Sequence, residues 1–385
     1  MRACVLYDVK RLEVRDVPRP EVGPYDVLVR TTAVGLCGTD LHIFSGEANY
    51  NTDERGLPIP LTVQPQIPGH EVTGVVEETG REVRDVSIGD RVIFDQGLNC
   101  FSARRTALCE YCATDHSHQC EFYRELGITG EPGGLAEYIV IPSVNTVRVD
   151  SEIDAVEAAL AEPLACIVHS LDMVTRATST RYRLKATEPE RRVKSVLVFG
   201  AGPAGLLFTQ YLRNVLGFDG ILLVSEPNAR KRMLAAQFGV DVIDPQATDL
   251  VEAVAEKTKG RRVEYVIEAS GAGQVFTIIP SVIRKQATLM LYGHGRGGVD
   301  LSVLNSVQFL EPEIISPIGG SGGFEVDGRP STYLRALRLI EQGTIKVAPL
   351  VTHRYYSLES VTQALTVDYH TEDYIKGVVT LKTSG

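Results

Sequence analysis

The chain has 385 residues, enough for two domains of ordinary size, each with its own core. Hydrophobic residues make up 44% and the formal net charge is −10, with a pI near 5.4 and a mean hydropathy of zero. That balance points to a soluble globular protein and argues against a nucleic-acid-binding or anionic-membrane surface.

Met1 leads directly into the strand-like alternation Ala3-Cys4-Val5-Leu6. No basic leader and no long apolar run is visible, so neither a signal peptide nor a membrane span is expected. Residues 1 to about 164 are rich in short β-branched runs broken by Gly and Pro, such as Val27-Leu28-Val29, Val72-Thr73-Gly74-Val75-Val76 and Arg91-Val92-Ile93-Phe94. They predict a β-rich domain with functional loops. Within it lie Gly35-Leu36-Cys37-Gly38-Thr39-Asp40-Leu41-His42 and Pro68-Gly69-His70-Glu71, with Ala161-Glu162-Pro163-Leu164-Ala165 at its end. Cys37, His70 and Glu162 offer a thiolate, an imidazole and a carboxylate, the three protein ligands that an open catalytic Zn²⁺ site needs. Taken singly, the cysteine and the histidine have plainer readings: a buried small thiol and a hydrogen-bonded loop residue. Thr39 could likewise be a capping hydroxyl with a helix starting near Asp40.

Seven cysteines in a chain of this size, four of them clustered, read as metal ligands rather than as a disulfide framework, and the expected compartment is the cytoplasm. The cluster is Cys100, Cys109, Cys112 and Cys120. A closed tetrahedral Cys₄ site would fasten a loop too polar to hold itself.

From about 165 the rhythm becomes strand, helix, strand. Ser195-Val196-Leu197-Val198-Phe199 precedes a helix from 203 to about 216, and Ile221-Leu222-Leu223-Val224 precedes one from about 229 to 238. Val263 to Glu268 and Ala287 to Tyr292 continue the series. Alternation of this kind implies a doubly wound parallel sheet covered on both faces. The run Gly200-Ala201-Gly202-Pro203-Ala204-Gly205 sits between the first strand and its helix, the context that gives such a run meaning as a dinucleotide fingerprint. Gly200 would make the tight turn, Gly202 would let the backbone approach a pyrophosphate at the helix N-terminus, and Gly205 would let helix and sheet pack closely. Glu226 ends the next strand, where a carboxylate hydrogen-bonds ribose hydroxyls and repels a 2′-phosphate, favouring NAD. Arg230 and Lys231 follow it and keep NADP open, unless they are solvated helix charges.

Taken in order, these runs resemble the zinc-dependent medium-chain dehydrogenases, the family of alcohol, polyol, sugar and threonine dehydrogenases, from Val27 through Lys376. The resemblance implies an α/β protein in which a β-rich, GroES-like catalytic domain (1–164 and 318–385) carries the zinc and a Rossmann domain (165–317) carries the dinucleotide. It implies that Thr39 passes the substrate proton through the cofactor ribose to His42, and that Glu71 is a supporting group or an alternate zinc ligand. Glu162, where many simple-alcohol dehydrogenases have cysteine, fits the polyol, sugar and threonine branch. Cys109, Cys112 and Cys120 match the last three ligands of that family's structural zinc lobe. The family's first ligand position falls on Thr106, which cannot serve, so Cys100 must reach in, or His116 or His118 could substitute. The expected partners are a small polyhydroxylated substrate and further copies of the chain, as a dimer or tetramer.

Three segments are longer than the family's usual connections: 47–66, 101–108 and 178–194. The first, tethered between Cys37 and His70, is expected at the substrate mouth. The last is expected on the surface or at a subunit contact.

Overall fold

The computed structural model describes residues 1–295, 297–300, 302–320 and 329–381. The chain divides into two units, one comprising Met1–Val168, Gly319–Gly343 and Val351–Gly385, the other His169–Ile318 and Thr344–Leu350. The segment expected from 318 onward therefore belongs mostly, not wholly, to the first unit. Residues 344–350 go with the second because Gln210 clasps Lys346, accepting from its amide at 2.8 Å and donating to its carbonyl at 3.1 Å. Asn214 likewise donates to the Thr344 carbonyl at 2.9 Å. Within that segment, 321–328 and 382–385 lie outside the described residues.

The first unit is organised by the strand Asp26–Leu36, whose 11 residues are nearly all buried. It pairs antiparallel with Glu71–Thr79, Tyr138–Pro142 and Lys376–Thr380 in a seven-stranded sheet. Its register sets Gly35 opposite Glu71 and Leu36 opposite Gly377. Three strand ends thus lie side by side, and the next residue of the central strand is Cys37. Gly35 is required here: a β-carbon would lie 2.0 Å from Glu71 Oε2, so only glycine lets that side chain cross. The core beneath the sheet joins Val27, Val29, Val34, Val72, Val76 and Ile139 to Val361 and Val379 from the chain's return.

The second unit is a six-stranded sheet in the order Asp241–Ile243, Ile221–Ser225, Ser195–Phe199, Val263–Glu268, Ile283–Leu291 and Glu313–Ile315, parallel at every pairing. Ser195–Phe199 and Val263–Glu268 are buried throughout, as strands covered on both faces must be. The helices Pro203–Gln210 and Ala229–Gln237 follow the first and second strands of the alternation. The helix Ala161–Arg176 runs across the division between units, so a boundary at 164 falls inside it. The stretch Ala155–Arg176 is long and apolar enough to cross a membrane, but 72% of its most apolar window is buried inside the protein, as in a core helix.

Of the three long segments, 47–66 is closed by a bridge between Thr52 and Pro58 and fastened to the first strand by a bridge between Leu6 and Gln66. Segment 101–108 turns sharply after Cys100, whose carbonyl accepts from Arg105 N at 2.9 Å. Arg104 lies over the Tyr25 ring and Arg105 over the Phe122 ring, at 4.0 and 3.6 Å. Segment 178–194 is held by a bridge between Arg183 and Arg192, and Tyr182 is buried beneath Arg284.

Candidate functional site

The adjoining strand ends bring Cys37, His70 and Glu71 together, with one ligand atom of each within 4.8 Å of the others. Cys37 is the N-cap of the helix Gly38–Ser45, and its amide donates to Asp40 Oδ2 at 2.8 Å. The helix thus starts at Gly38, and the side chain that satisfies its capping amide is the Asp40 carboxylate, not the Thr39 hydroxyl, which lies 3.7 Å from Cys37 Sγ. Asp40 is buried. Its Oδ1 accepts from Gly69 N at 3.1 Å and sits 3.5 Å from His70 Nδ1, tying the loops that carry Cys37 and His70 to one carboxylate. Burial opposes charge on His70, but Asp40 and Cys37 outweigh it and hold its pKa well above the usual value. The negative field that favours a proton there also favours a metal cation. His42, one turn further along, has Nδ1 2.7 Å from Glu47 Oε2.

Glu71 is fully buried and bonds Lys376 through Oε1, while Oε2 finds no hydrogen-bond donor among the described residues. Glu162 lies outside the 4.8 Å cluster. Its Oε1 accepts from Gln96 Nε2 at 3.0 Å and from Cys166 Sγ at 3.5 Å. Burial, then the neighbouring Glu71 charge, push its carboxyl up to about 7, against the pull of His70 and Lys376. Two buried carboxylates of one sign, one thiolate and one imidazole form a donor set that suits Zn²⁺ with a position left open. Cys37 and His70 would be common to any metal held there, with the two carboxylates as candidates for the third place.

Two further residues join this neighbourhood. Glu125, on the short strand Arg124–Glu125 opposite Gly97, accepts from the Tyr123 hydroxyl at 3.3 Å. Desolvation raises its carboxyl, with the His70 charge opposing. The Tyr50 phenol, from segment 47–66, is raised by burial and then by the charges of Cys37 and Glu125. Other members of that segment bond within it: Asn49 donates to Ile59 O, and Asp53 pairs with Arg55.

Cys100, Cys109, Cys112 and Cys120 are all buried and lie mutually within 4.8 Å. Cys100 and Cys120 sulfurs are 3.6 Å apart, those of Cys109 and Cys120 3.8 Å. A regular tetrahedron with Zn–S bonds of 2.3 Å has edges of about 3.8 Å, so the four thiols fit that ion. Cys100 takes the first place across the insertion. His116 instead approaches the Thr114 carbonyl, and His118 stands outside the four-sulfur group. The Cys112 amide, ahead of its other neighbours, lowers the Cys109 thiol to about 6.

In the second unit Gly200 has φ +94°, and a β-carbon on Gly205 would lie 2.0 Å from the Gly200 carbonyl. A β-carbon on Gly202 would meet nothing within 4 Å, leaving open the place where a pyrophosphate would approach. Pro203 and Ala204 open the helix, Pro203 in the first-turn position that tolerates proline. Glu226 is buried. Its Oε2 accepts from Ala201 N at 2.7 Å and its Oε1 from Asn228 N at 2.9 Å, so it braces the glycine loop as well as ending its strand. Arg230 is exposed, and Lys231 donates its amide to the Asn228 cap. Arg232, which the sequence reading passed over, pairs with Asp244 at 2.7 Å.

Lys376, Gln96, Tyr333 and Glu125 also escaped that reading. A lone lysine in the apolar closing run Ile375-Lys376-Gly377-Val378-Val379 was the available signal for one of them. Nothing local marks the others.

Residues 23–151 match the alcohol dehydrogenase GroES-like domain and residues 203–342 the zinc-binding dehydrogenase domain. The chain is 30% identical to an L-threonine 3-dehydrogenase of Pyrococcus abyssi over 94% of its own length and 93% of that protein's. It is 27% identical to a sorbitol dehydrogenase of Arabidopsis thaliana, over 97% and 93%. Among solved structures, a zinc-binding dehydrogenase of Sinorhizobium meliloti 1021 bound to NADP superposes with a TM-score of 0.79 at 27% identity, covering 98% of each chain.

Proposed function

The chain belongs to the zinc-dependent medium-chain dehydrogenases, NAD(P)-dependent oxidoreductases acting on CH–OH groups, and we propose that it interconverts a secondary hydroxyl and ketone of a polyol, sugar or cyclitol. The observation that carries this reading is the donor set at the strand ends: Cys37 and His70 together, with Glu71 and Glu162 as competing carboxylates. Zinc there would lower the pKa of the substrate hydroxyl, and the dinucleotide would accept the hydride. Asp40 fixes the loops that carry Cys37 and His70. Thr39 stands close enough to Cys37 to take the hydroxyl proton, and His42, held by Glu47, is the exit towards solvent.

Glu71, Glu125 and Glu162 give the catalytic unit's site an acidic lining, and its buried cation Lys376 is already paired with Glu71. That field disfavours a free carboxylate on the substrate and favours hydroxyls, which can donate to the acidic wall. A 3-hydroxy amino acid is the second reading, favoured by the L-threonine 3-dehydrogenase relatives. NAD is the proposed preference, since Glu226 stands where a 2′-phosphate would be repelled. We place the enzyme in the cytoplasm, as its seven unbridged thiols suit a reducing compartment. A second copy would cover the outermost strand Glu313–Ile315, where Ile314, Phe309 and Ile318 are exposed.

The test is a panel of polyols, aldoses, cyclitols, 3-hydroxy amino acids and simple secondary alcohols with NAD and NADP, read by absorbance of the reduced nicotinamide. Highest kcat/KM on a polyhydroxylated compound is expected. Preference for L-threonine, or for a simple alcohol, would overturn the substrate class, and a tenfold preference for NADP would overturn the cofactor assignment.

A further inference from the structure

Gln96 follows the strand Arg91–Phe94, and its carbonyl accepts from Leu126 N at 3.0 Å. Its side chain is buried and bonded at both ends: Nε2 donates to Glu162 Oε1 at 3.0 Å, and Oε1 accepts from the Tyr333 hydroxyl. Tyr333 is fully buried on the helix Ser331–Glu341, after the chain has returned from the second unit. Glu162 Oε2 accepts no hydrogen bond from any described residue, whereas Oε1 has two donors, Gln96 and Cys166.

With zinc bound, Glu162 would be ionised and could only accept, so the Gln96 amide would present its NH₂ to Glu162, as it does here. Its carbonyl then faces the other way and needs a donor, which the Tyr333 hydroxyl supplies. Burial, then the nearby Glu162 charge, hold the Tyr333 phenol well above its ordinary pKa, so it keeps its proton. Were Tyr333 unable to donate, the amide could flip and set its oxygen against the carboxylate.

We propose that Tyr333 and Gln96 form a two-residue relay that orients Glu162 for the zinc, satisfying Oε1 and leaving Oε2 as the ligand atom. Both are positioning residues. The proposal rests on the reading of Glu162 as a zinc ligand. Hydrogen-bonded partners of this kind set ligand orientation, and losing one costs about 10–100-fold in metal affinity.

The experiment measures zinc affinity of the full chain by chelator competition, with the Co²⁺-substituted visible spectrum as a second readout. The variants are Gln96→Met, Tyr333→Phe, the double variant and Glu162→Gln. Gln96→Met should weaken the catalytic zinc by about 10–100-fold and shift the Co²⁺ spectrum, while the second zinc stays bound. Tyr333→Phe should have a smaller effect of the same kind, and the double variant should match Gln96→Met, because Tyr333 acts only through the amide. Wild-type zinc affinity and spectrum in Tyr333→Phe, or effects that multiply in the double variant, would overturn the relay even if Gln96→Met fails to fold. If Glu162→Gln itself leaves zinc affinity unchanged, the ligand reading has failed instead.

Discussion

The two candidate metal sites of the first unit are built on opposite plans. The four thiols of the lobe are alike, all buried and mutually within 4.8 Å, with the Cys100–Cys120 and Cys109–Cys120 sulfurs already at the spacing of a tetrahedron's edge. Among the described residues no fifth His, Cys, Asp or Glu joins that group. The cluster at the strand ends is mixed and over-supplied: Cys37 and His70 sit with two carboxylates for one place, a buried lysine neutralises one of them, and Glu71 Oε2 is left without a donor among the described residues. A closed site gains from completeness, since its metal contributes folding free energy. An open site must keep a position for substrate, and its charges are left incompletely balanced.

The comparison breaks if the two clusters respond alike to the loss of a ligand. Cys37→Ser carries the largest expected effect. Zinc at such a site stabilises the transition state by several kcal/mol, so kcat should fall on the order of 10³-fold. Dinucleotide binding, followed by fluorescence titration, and Tm should remain near wild type. A zinc-free protein with full turnover would remove the basis for calling the first cluster catalytic.

Cys112→Ala should do the reverse. Losing a structural metal removes a cross-link comparable to a disulfide, about 3 kcal/mol, which lowers Tm by roughly 6–12 °C for a unit of this size. Zinc per chain should drop by one equivalent, and kcat per folded molecule should change little. Unchanged zinc content and Tm would show that the four thiols hold no metal. A loss of kcat without a loss of Tm would show that the lobe shapes the catalytic site, with Tyr123, packed on the lobe and bonded to Glu125, as the obvious route.

What was legible in the sequence follows from distance along the chain. The glycine loop is local: its turn, its open position at Gly202 and its close packing at Gly205 involve residues within a few positions of one another, and each is visible as a spacing. The meeting of Cys37 and His70 was expected because each lies in a short, distinctive run, whereas the residue that joins them within 4.8 Å is Glu71 rather than Glu162. Lys376 reaches Glu71 across 305 residues and Tyr333 reaches Gln96 across 237, and no periodicity predicts such meetings. Cys100 was a doubtful ligand for a related reason. Its place depends on an insertion folding back beneath two arginine–aromatic contacts, which spacing alone does not reveal.

The smallest expected effect is also the one that sharpens the open site's character most. Segment 47–66 was expected at the substrate mouth, but Asn49 bonds the segment's own backbone, Asp53 pairs with Arg55, and Asn51 is buried against Gly130. Tyr50 is the member that shares the electrostatic surroundings of Cys37 and His70. If the segment selects polyhydroxylated substrates, its phenol is the group that does so. Tyr50→Phe keeps the ring and its packing and removes one hydrogen-bonding oxygen, worth about 1 kcal/mol, so kcat/KM on the preferred polyol should fall roughly fivefold. A simple secondary alcohol has no second hydroxyl to lose contact with, and its kcat/KM should stay constant. The ratio of the two is the measurement, because a general disturbance of the pocket would lower both together. An unchanged ratio would make the segment a surface excursion and leave selection to Glu125 and the other carboxylates around the metal.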